Sequence, residues 1–332
     1  MGAVGSAQME MSEPSAIDPR MERAARALWP RQPLRLENAT GGLFNRVVRV
    51  ESSLGTKYLK RLTDTASSDG FPPLPTSAAQ RCLVASRWHD LALRASARES
   101  AVGVPALLAV LADDDLIAMD QAQGDPLYDM LRVGSRGAEG PLPCVMAWLA
   151  VLHALPLEPR GLLLEASAPF KAFKVDLQYT RLLAEMPASL HASAQGFIGE
   201  YLRADAQAVH GDLNSRNVLV AANGVSVIDF EQGHFGEGLY DVAYLLSEYV
   251  IRGLRAGIDP EASIHSAWDA YCGACAAPAD SSAQRRFRVH TAFQTLYRLA
   301  GPSRTVWTGH LDDAAGQAVR RWSLGALAQW LQ

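Results

Sequence analysis

The chain has 332 residues, of which 48% are hydrophobic and 20% are charged, and its formal net charge is −4. These proportions are ordinary for a globular protein, and they exclude a strongly basic nucleic-acid binder or a polybasic membrane binder. No stretch approaches the roughly 20 consecutive apolar residues that a membrane-spanning helix requires. The cysteines are too few and too scattered for a disulfide framework, which favours a reducing, cytoplasmic setting: Cys82, Cys144, Cys272 and Cys275.

The first residues predict a tail followed by a β-hairpin. Residues 1–20 read as a Gly/Ala/Ser tail that is expected to be disordered, and a short helix is expected over 21–28. Polar and β-branched residues mix over 46–51, and alternation resumes over 57–62 beyond a Ser/Gly turn. This pattern predicts two antiparallel strands.

A helix and two further strands are predicted to complete an N-terminal lobe. Helical periodicity runs from Ser77, a suitable N-cap, to about residue 94. Short apolar runs at 105–110 and 116–119 predict strands. Residues 21–120 are therefore expected to form a small lobe with an antiparallel sheet and one helix.

Beyond residue 120 the pattern becomes helical. Residues 121–125 are predicted to be a short hinge, and residues 126–332 a larger helical lobe. The fold class is therefore expected to be α+β, with two lobes that face one another across a cleft, a favoured place for ligands. The predicted helices of the larger lobe lie at 143–153, 176–185, 192–204 and from 239 to the end.

One stretch of the larger lobe carries acidic and amide side chains in a pattern that suits phosphoryl transfer. Asp212 and Asn217 lie five residues apart on one predicted loop, and Asp229 follows a hairpin predicted by Asn223-Gly224. The hairpin is expected to bring Asp229 back beside Asn217. Such a set can supply a carboxylate that deprotonates a hydroxyl, together with oxygen ligands for the Mg²⁺ that neutralises nucleotide phosphates.

The pattern H-G-D-x-x-x-x-N, followed about a dozen residues later by I-D-F-E, resembles the aminoglycoside phosphotransferase/choline kinase-like family, which has the bilobal protein-kinase-like fold. The resemblance implies a small-molecule kinase that transfers the γ-phosphoryl group of ATP or GTP to a substrate hydroxyl. It implies that Asp212 is the catalytic base and that Asn217 and Asp229 are Mg²⁺ ligands. It also implies that His210 braces the loop and that Asp241 buttresses it from the start of a helix.

The N-terminal lobe resembles the same family in the expected order. A loop with two glycines is similar to the family's loop over the nucleotide phosphates, where successive N–H groups cradle the anion. A strand lysine follows at the place where the family contacts the α- and β-phosphates, and the segment after the last strand resembles the hinge that reads the adenine edge. The nucleotide-binding residues implied in this way are Gly41, Gly42, Asn45, Lys60, Asp120 and Ala122.

The helix at 77–94 departs from the family, because it has no Glu to pair with Lys60. Asp90 is the only carboxylate on that helix and is one candidate partner. The departure keeps a second interpretation open, a catalytically weak, pseudokinase-type nucleotide-binding module. A protein kinase is disfavoured, because little sequence separates Asp229 from the helix at about Asp241.

Neighbouring residues are given supporting roles. Glu231 is expected to orient groups near the metal, and His234 is interpreted as structural or, alternatively, as a substrate contact. The acceptor is expected to be a small hydroxyl-bearing compound, and the sequence leaves an aminoglycoside, an amino alcohol and a sugar open. The chain is expected to be a monomer or a weak dimer.

Overall fold

The structure, a computed structural model, describes residues 16–39, 45–64, 72–156, 161–275 and 280–332, with Leu162 described by its backbone alone. The first 15 residues of the predicted tail thus lie outside the described residues. In the described ranges the strands are β1 (Arg35–Asn38), β2 (Asn45–Ser52), β3 (Gly55–Leu62), β4 (Val102–Gly103), β5 (Leu107–Leu111), β6 (Leu116–Asp120), β7 (Asp125–Pro126), β8 (Gln207–Val209), β9 (Val218–Ala221), β10 (Gly224–Val227) and β11 (His234–Gly236). The helices are α1 (Pro19–Leu28), α2 (Ala78–Ser96), α3 (Leu127–Val133), α4 (Pro141–His153), α5 (Gly161–Gln178), α6 (His191–Arg203), α7 (Leu239–Arg255), α8 (Glu261–Ala274), α9 (Ser281–Ala300), α10 (Arg304–Trp307) and α11 (Asp313–Trp330).

The N-terminal lobe is built on an antiparallel sheet in the order β1-β2-β3-β6-β5. The predicted hairpin β2–β3 is present and pairs Val47 with Lys60. Because side chains alternate across a strand, Leu59 and Lys60 of β3 point to opposite faces. Leu59 packs in the cluster under α1, whereas Leu62, on the Lys60 face, packs against α2. Lys60 is therefore aimed at the side of the sheet that α2 covers.

Helix α1 is capped by Asp18, whose side chain accepts a hydrogen bond of 2.9 Å from the N–H of Arg20. The buried Asp18 carboxylate also forms an ion pair of 2.6 Å with Arg61 of β3. These contacts fasten α1 to the sheet, and the helix begins at Pro19, two residues before its predicted start. The folded part of the chain therefore reaches into the segment 1–20 that the sequence assigns to a tail.

Helix α2 confirms its prediction, and one predicted helix of the larger lobe is wrong. The expected helix over 176–185 is interrupted, because α5 ends at Gln178 and a 3₁₀ segment follows at Thr180–Glu185. Between them Tyr179 leaves helical geometry, with φ −133° and ψ −59°. Its fully buried ring lies 4.9 Å from that of Phe293, so tertiary packing of this aromatic side chain overrides the local helical pattern.

The larger lobe packs its helices around α7, in which every residue from Leu239 to Ile251 is buried. One core cluster joins α4, α7 and α8, and a second joins α6, α9 and α11. Two small sheets, in the orders β4-β10-β9-β7 and β11-β8, carry the loops of the site. The predicted β9–β10 hairpin is present; it pairs Ala221 with Gly224, so its two-residue turn is Ala222-Asn223, one residue before the predicted Asn223-Gly224. None of the helices in the described ranges is long and apolar enough to cross a membrane.

Candidate active site

The loop between β8 and β9 and the residues after β10 carry the predicted catalytic side chains. Asn217 Nδ2 donates hydrogen bonds to the backbone oxygen of Asp212 at 2.9 Å and to its Oδ2 at 3.5 Å. The N–H of Ile228 donates to the backbone oxygen of Asn217 at 3.0 Å, which sets Asp229 beside the loop. The structure thus brings Asp212, Asn217 and Asp229 together.

Two backbone positions of this site lie in the left-handed region. Gly211 has a φ of +79°, and a Cβ atom there would lie 2.1 Å from the backbone oxygen of Gln232, so only glycine fits. Asp229 has a φ of 73°, which is uncommon for a residue other than glycine. Held backbone strain at a carboxylate is typical of a functional position.

Asp241, at the start of α7, holds the loop from below. Its carboxylate accepts hydrogen bonds from the N–H of His210 at 2.5 Å and of Gly211 at 3.0 Å. His153 Nε2 of α4 donates to the same carboxylate at 3.2 Å. Burial by itself raises the pKa of Asp241, but the hydrogen bond and charge of His153 and the N–H of Gly211 outweigh it and lower the pKa below its usual value. The ionised carboxylate therefore fixes the start of the loop, in agreement with the implied buttress.

His210 and His234 are both buried side chains with internal partners. His210 Nε2 donates to the backbone oxygen of Ile228 at 2.9 Å, and its Nδ1 accepts from the N–H of Asp212 at 3.3 Å. This pair of bonds ties the loop to the β10 end and agrees with the expected bracing role. His234 Nδ1 lies 3.1 Å from the backbone oxygen of Gln232, and burial lowers the pKa of His234 to about 4. The structural interpretation of His234 is thus the one that its surroundings support.

Lys60 reaches across from the N-terminal lobe to the residues after β10. Its Nζ lies 2.5 Å from Asp229 Oδ1 and 3.6 Å from Glu231 Oε2. Burial by itself lowers the pKa of Lys60, but the two carboxylates outweigh it and raise the pKa above its ordinary value. Asn45, at the start of β2, donates from Nδ2 to Glu231 Oε1 at 2.8 Å. The implied nucleotide-binding residues Lys60 and Asn45 therefore converge on the acidic segment that carries Asp229.

The carboxylate partner of Lys60 comes from an unexpected element. Asp90 is exposed on α2 and is wrong as the candidate partner, since the ion pairs of Lys60 within the described residues are with Asp229 and Glu231. Helix α2 contributes a cation instead: Arg81 is fully buried, and its Nη1 lies 3.9 Å from Glu231 Oε2. Sequence reasoning missed Arg81 because arginine is rarely buried, and only the contact across the lobes reveals its environment.

Three further residues contact Asp212 that the sequence analysis did not single out. Lys174 of α5 forms an ion pair of 2.9 Å with Asp212 Oδ1, and its side chain is only 6% exposed. Tyr244 of α7 donates to the same oxygen at 3.2 Å. Asn214 donates from Nδ2 to Asp212 Oδ2 at 3.3 Å. The signal for Tyr244 was its place one helical turn after the buttressing Asp241, whereas Lys174 had no local signal.

The remaining implied nucleotide contacts lie at the end of β6 and in the glycine loop. The side chain of Asp120 pairs with Lys57, and its N–H donates to the backbone oxygen of Ala106 at 2.9 Å. Ala122 follows β6 in an irregular, half-buried segment. Gly41 and Gly42 lie outside the described residues, so their implied role stays a prediction.

The donor chemistry of the site suits a magnesium ion. The side chain of Asp229 is 30% exposed, so a ligand can still contact it despite its ion pair with Lys60. Across the described ranges, no three His, Cys, Asp or Glu side chains converge as a complete metal cage. Mg²⁺ is ordinarily bound by one or two protein carboxylates and completed by substrate phosphates and water, so a carboxylate from Asp229 and the amide oxygen of Asn217 fit it.

Comparison with known proteins decides the family. Residues 35–273 match the family model described as the phosphotransferase enzyme family, which covers more than two thirds of the chain and all the residues of the site. The chain belongs to this family. Among curated proteins, none is similar enough in sequence to count as a match.

Solved structures place this phosphotransferase in the bilobal kinase-like fold. An ethanolamine kinase from Plasmodium vivax is 14% identical with a TM-score of 0.51, over 92% of this chain and 85% of that chain. A choline kinase from Cryptosporidium parvum Iowa II is 11% identical with a TM-score of 0.51, over 89% of each chain. An aminoglycoside phosphotransferase in a complex with streptomycin and ATP is 14% identical with a TM-score of 0.49, over 95% of this chain and 97% of that chain. The predicted α+β fold class, with a small antiparallel sheet lobe and a large helical lobe, is confirmed.

Proposed function

We propose that this phosphotransferase is a small-molecule kinase that transfers the γ-phosphoryl group of ATP or GTP to a substrate hydroxyl. The observation that carries the proposal is the convergence of Asp212, Asn217 and Asp229, with Lys60 of the other lobe 2.5 Å from Asp229. These are the base, the metal ligands and the phosphate-binding cation that phosphoryl transfer requires. An ethanolamine kinase and a choline kinase share the fold, which agrees with a small acceptor.

In the proposed reaction Asp212 accepts the proton of the acceptor hydroxyl while that oxygen forms a bond to the γ-phosphorus. The bond from this phosphorus to the β,γ-bridging oxygen breaks, and the nucleoside diphosphate leaves with that electron pair. Asn217 and Asp229 would hold Mg²⁺, which supplies charge neutralisation at the phosphates. Most of the acceleration would come from fixed geometry and fixed charge, since the protein forms no covalent bond.

The nucleotide is proposed to lie between the lobes. Lys60 would exchange its ion pair with Asp229 for contacts to the phosphates, and Gly41 and Gly42 would cover them. Because the N–H of Asp120 is already donated to Ala106, its carbonyl and the N–H of Ala122 are the groups that would read the adenine edge.

The pseudokinase interpretation rested on the absence of a carboxylate on α2 that could pair with Lys60. The structure weakens this argument, because another carboxylate lies beside Lys60. Glu231 lies 3.6 Å from Lys60 and is itself held by Asn45. A carboxylate from the segment after β10 thus occupies the position beside Lys60 that the helix was expected to fill.

The first test replaces the proposed base. Asp212→Asn keeps the size of the side chain and removes its basicity, so turnover should fall by about 10²–10⁴-fold, the usual contribution of a general base. The affinity for Mg·ATP, measured by calorimetry, should change little. Asp176→Asn, which changes a half-exposed carboxylate of α5 that pairs with Arg181, is the control and should keep wild-type turnover. Wild-type turnover in the Asp212 variant would show that another group is the base.

A second test addresses the metal. Asp229→Asn should weaken binding of ATP in the presence of Mg²⁺ by about tenfold or more, because a charged oxygen ligand of the ion is lost. Removing Mg²⁺ with EDTA provides the internal control, since the variant should then bind ATP no more weakly than the wild type. An unchanged Mg·ATP affinity in calorimetry would contradict the metal assignment.

A further inference from the structure

A cavity of about 550 Å³ opens beside the loop between β8 and β9, called here the catalytic loop, and lies between α3 and α10. Arg216, which directly precedes Asn217, lines one wall, and Arg132 of α3 and His310 line the others. A second, smaller recess shares Arg132 and His310 with this cavity and is also lined by Glu248 and Arg255 of α7. The two recesses are neighbours that share Tyr128, Arg132 and His310, and together they are called here the arginine pocket.

The arginine pocket has an excess of positive charge. Among the described residues, no carboxylate lies within ion-pair distance of Arg132, Arg216 or Arg255, in contrast to Arg252, which pairs with Glu139. The acidic residues that line the pocket are Asp129 and Glu248. The negative charge of Glu248 is balanced by the buried Arg298, with which it forms an ion pair of 3.0 Å. Three cations thus face one carboxylate that is free to balance them.

The pocket is also held in shape. The guanidinium of Arg216 lies over the ring of Tyr128, 5.5 Å from its centroid. Tyr128 is itself fixed, because its hydroxyl donates to the backbone oxygen of Val306 at 2.6 Å and its ring packs edge-on against Trp307. Arginine in a fixed plane is suited to bidentate recognition of a carboxylate or a phosphate. The pKa of His310, which also lines the pocket, is lowered by burial and by the positive charges of Arg255 and Arg132.

The pocket adjoins the reaction centre through two connections. Arg216 follows Asp212 by four residues, so their Cα atoms are at most about 14 Å apart. Helix α7 contacts both places: Tyr244 donates to Asp212, and Glu248, one turn later, accepts from the N–H of Ser215 at 3.0 Å and lines the pocket. An acceptor held by Arg216 must therefore reach Asp212 with its hydroxyl across no more than this distance.

We infer that the acceptor of this kinase carries an anionic group, a carboxylate or a phosphate, which binds in the arginine pocket. This inference rests on the proposed function, and it narrows the acceptor class. A hydroxy acid, a sugar acid or an already phosphorylated alcohol fits the charge of the pocket. A polycationic aminoglycoside or a cationic amino alcohol would meet Arg132, Arg216 and Arg255 with like charge, which is unfavourable.

A binding experiment tests the pocket without any turnover. Inorganic phosphate is titrated calorimetrically into the enzyme saturated with Mg·ADP, so that the nucleotide site is occupied. Arg216→Gln and Arg132→Gln should each weaken phosphate binding by about tenfold, which corresponds to about 1.4 kcal/mol. Arg321→Gln removes an exposed arginine of α11 and should bind like the wild type. No phosphate binding to the wild type, or equal binding to all four proteins, would overturn the inference. Arg132 is exposed, so the Arg132 variant should fold and still tests the pocket if the Arg216 variant does not fold.

A kinetic experiment separates this inference from the proposed function. Glucuronate, glucose and glucosamine share one skeleton and differ in charge, and each is offered with ATP. The expected order of kcat/KM is glucuronate first and glucosamine last. Arg216→Gln should raise the KM for glucuronate by about tenfold while the KM for ATP stays constant. Efficient phosphorylation of glucosamine with no effect of Arg216→Gln would overturn the inference and leave the kinase proposal standing. Arginine-dependent phosphate binding without phosphorylation of any hydroxyl compound would do the reverse.

Discussion

Asp212 is surrounded by donors from three separate parts of the chain. Asn214 and Asn217 come from its own loop, Tyr244 from α7 and Lys174 from α5. Lys174 is buried to 6% exposure and lies 5.6 Å from the centroid of the Tyr244 ring, so its ammonium group is held close to the carboxylate. A fixed cation beside the point of attack can stabilise the negative charge of the phosphoryl group in the transition state.

Lys174→Met is predicted to lower kcat by about 10–100-fold, because it removes this charge while keeping much of the apolar stem. The KM for ATP should change by less than about threefold, since Lys60 and the metal hold the nucleotide. Lys171→Met is the control from the same helix: Lys171 bonds to the backbone oxygen of Ala204 and not to Asp212. Steady-state kinetics in which both variants lose kcat equally would indicate a structural role for α5 as a whole.

Helix α2 presents a cation to the site where the sequence led us to expect a carboxylate. Arg81, Lys60, Asp229 and Glu231 form a cluster of two cations and two anions, of which all but Asp229 are buried. The cluster is incompletely bonded, since Glu231 Oε2 and Arg81 Nε and Nη1 have no hydrogen-bond partner among the described residues. Arg81 Nη2 also donates to the backbone oxygen of Thr63 at 2.5 Å, which ties α2 to the end of β3. Arg81 therefore both holds α2 against the end of β3 and helps to balance the negative charge of Glu231.

Arg81→Met is predicted to lower the free energy of unfolding by about 3–5 kcal/mol, because a buried carboxylate loses one of its two balancing cations. Asp90→Asn lies on the same helix but at the surface, and it should change stability by less than about 0.5 kcal/mol. Denaturant unfolding of both variants gives the comparison. Equal stability of Arg81→Met and the wild type would mean that Lys60 alone balances Glu231.

At the scale of the whole molecule, partly buried ion pairs join segments that are distant in sequence. Glu237, just before α7, accepts hydrogen bonds from Arg286 of α9 at 2.7 and 2.5 Å and lies 3.3 Å from His290 Nε2. Burial by itself raises the pKa of Glu237, but Arg286 and His290 outweigh it and lower the pKa to about 2, from an ordinary value of 4.5. The ionised form therefore binds α9 to the segment that leads into α7.

This shift predicts a loss of stability in acid. A carboxyl group whose pKa is lower in the folded state stabilises the fold above its unfolded pKa, and the contribution disappears as the pH falls from 4.5 toward 2. The full contribution is roughly 3 kcal/mol. Denaturant unfolding should show Glu237→Gln less stable than the wild type at pH 6, with the difference shrinking by pH 3. Glu200→Gln, whose exposed carboxylate contacts the same Arg286, should show a much smaller difference at every pH.

Much of the fold could be predicted where structure is set by neighbours in sequence. The β2–β3 and β9–β10 hairpins and helix α2 follow from alternation, an Asn-Gly pair and the Ser77 cap. The predicted helix over 176–185 failed because the ring of Tyr179 is buried between helices that lie far along the chain. Short β1 and β4 were missed, since each of them is defined by its pairing and not by its own residues.

The sequence by itself determined the family, the order of the lobes and the candidate set Asp212, Asn217 and Asp229, because these residues lie on one loop and one hairpin whose spacing is local. The tertiary structure alone decided which side chains surround that set. Lys174, Arg81 and the arginine pocket come from helices that approach the loop from different directions, and charge acts through space, so no spacing along the chain records it.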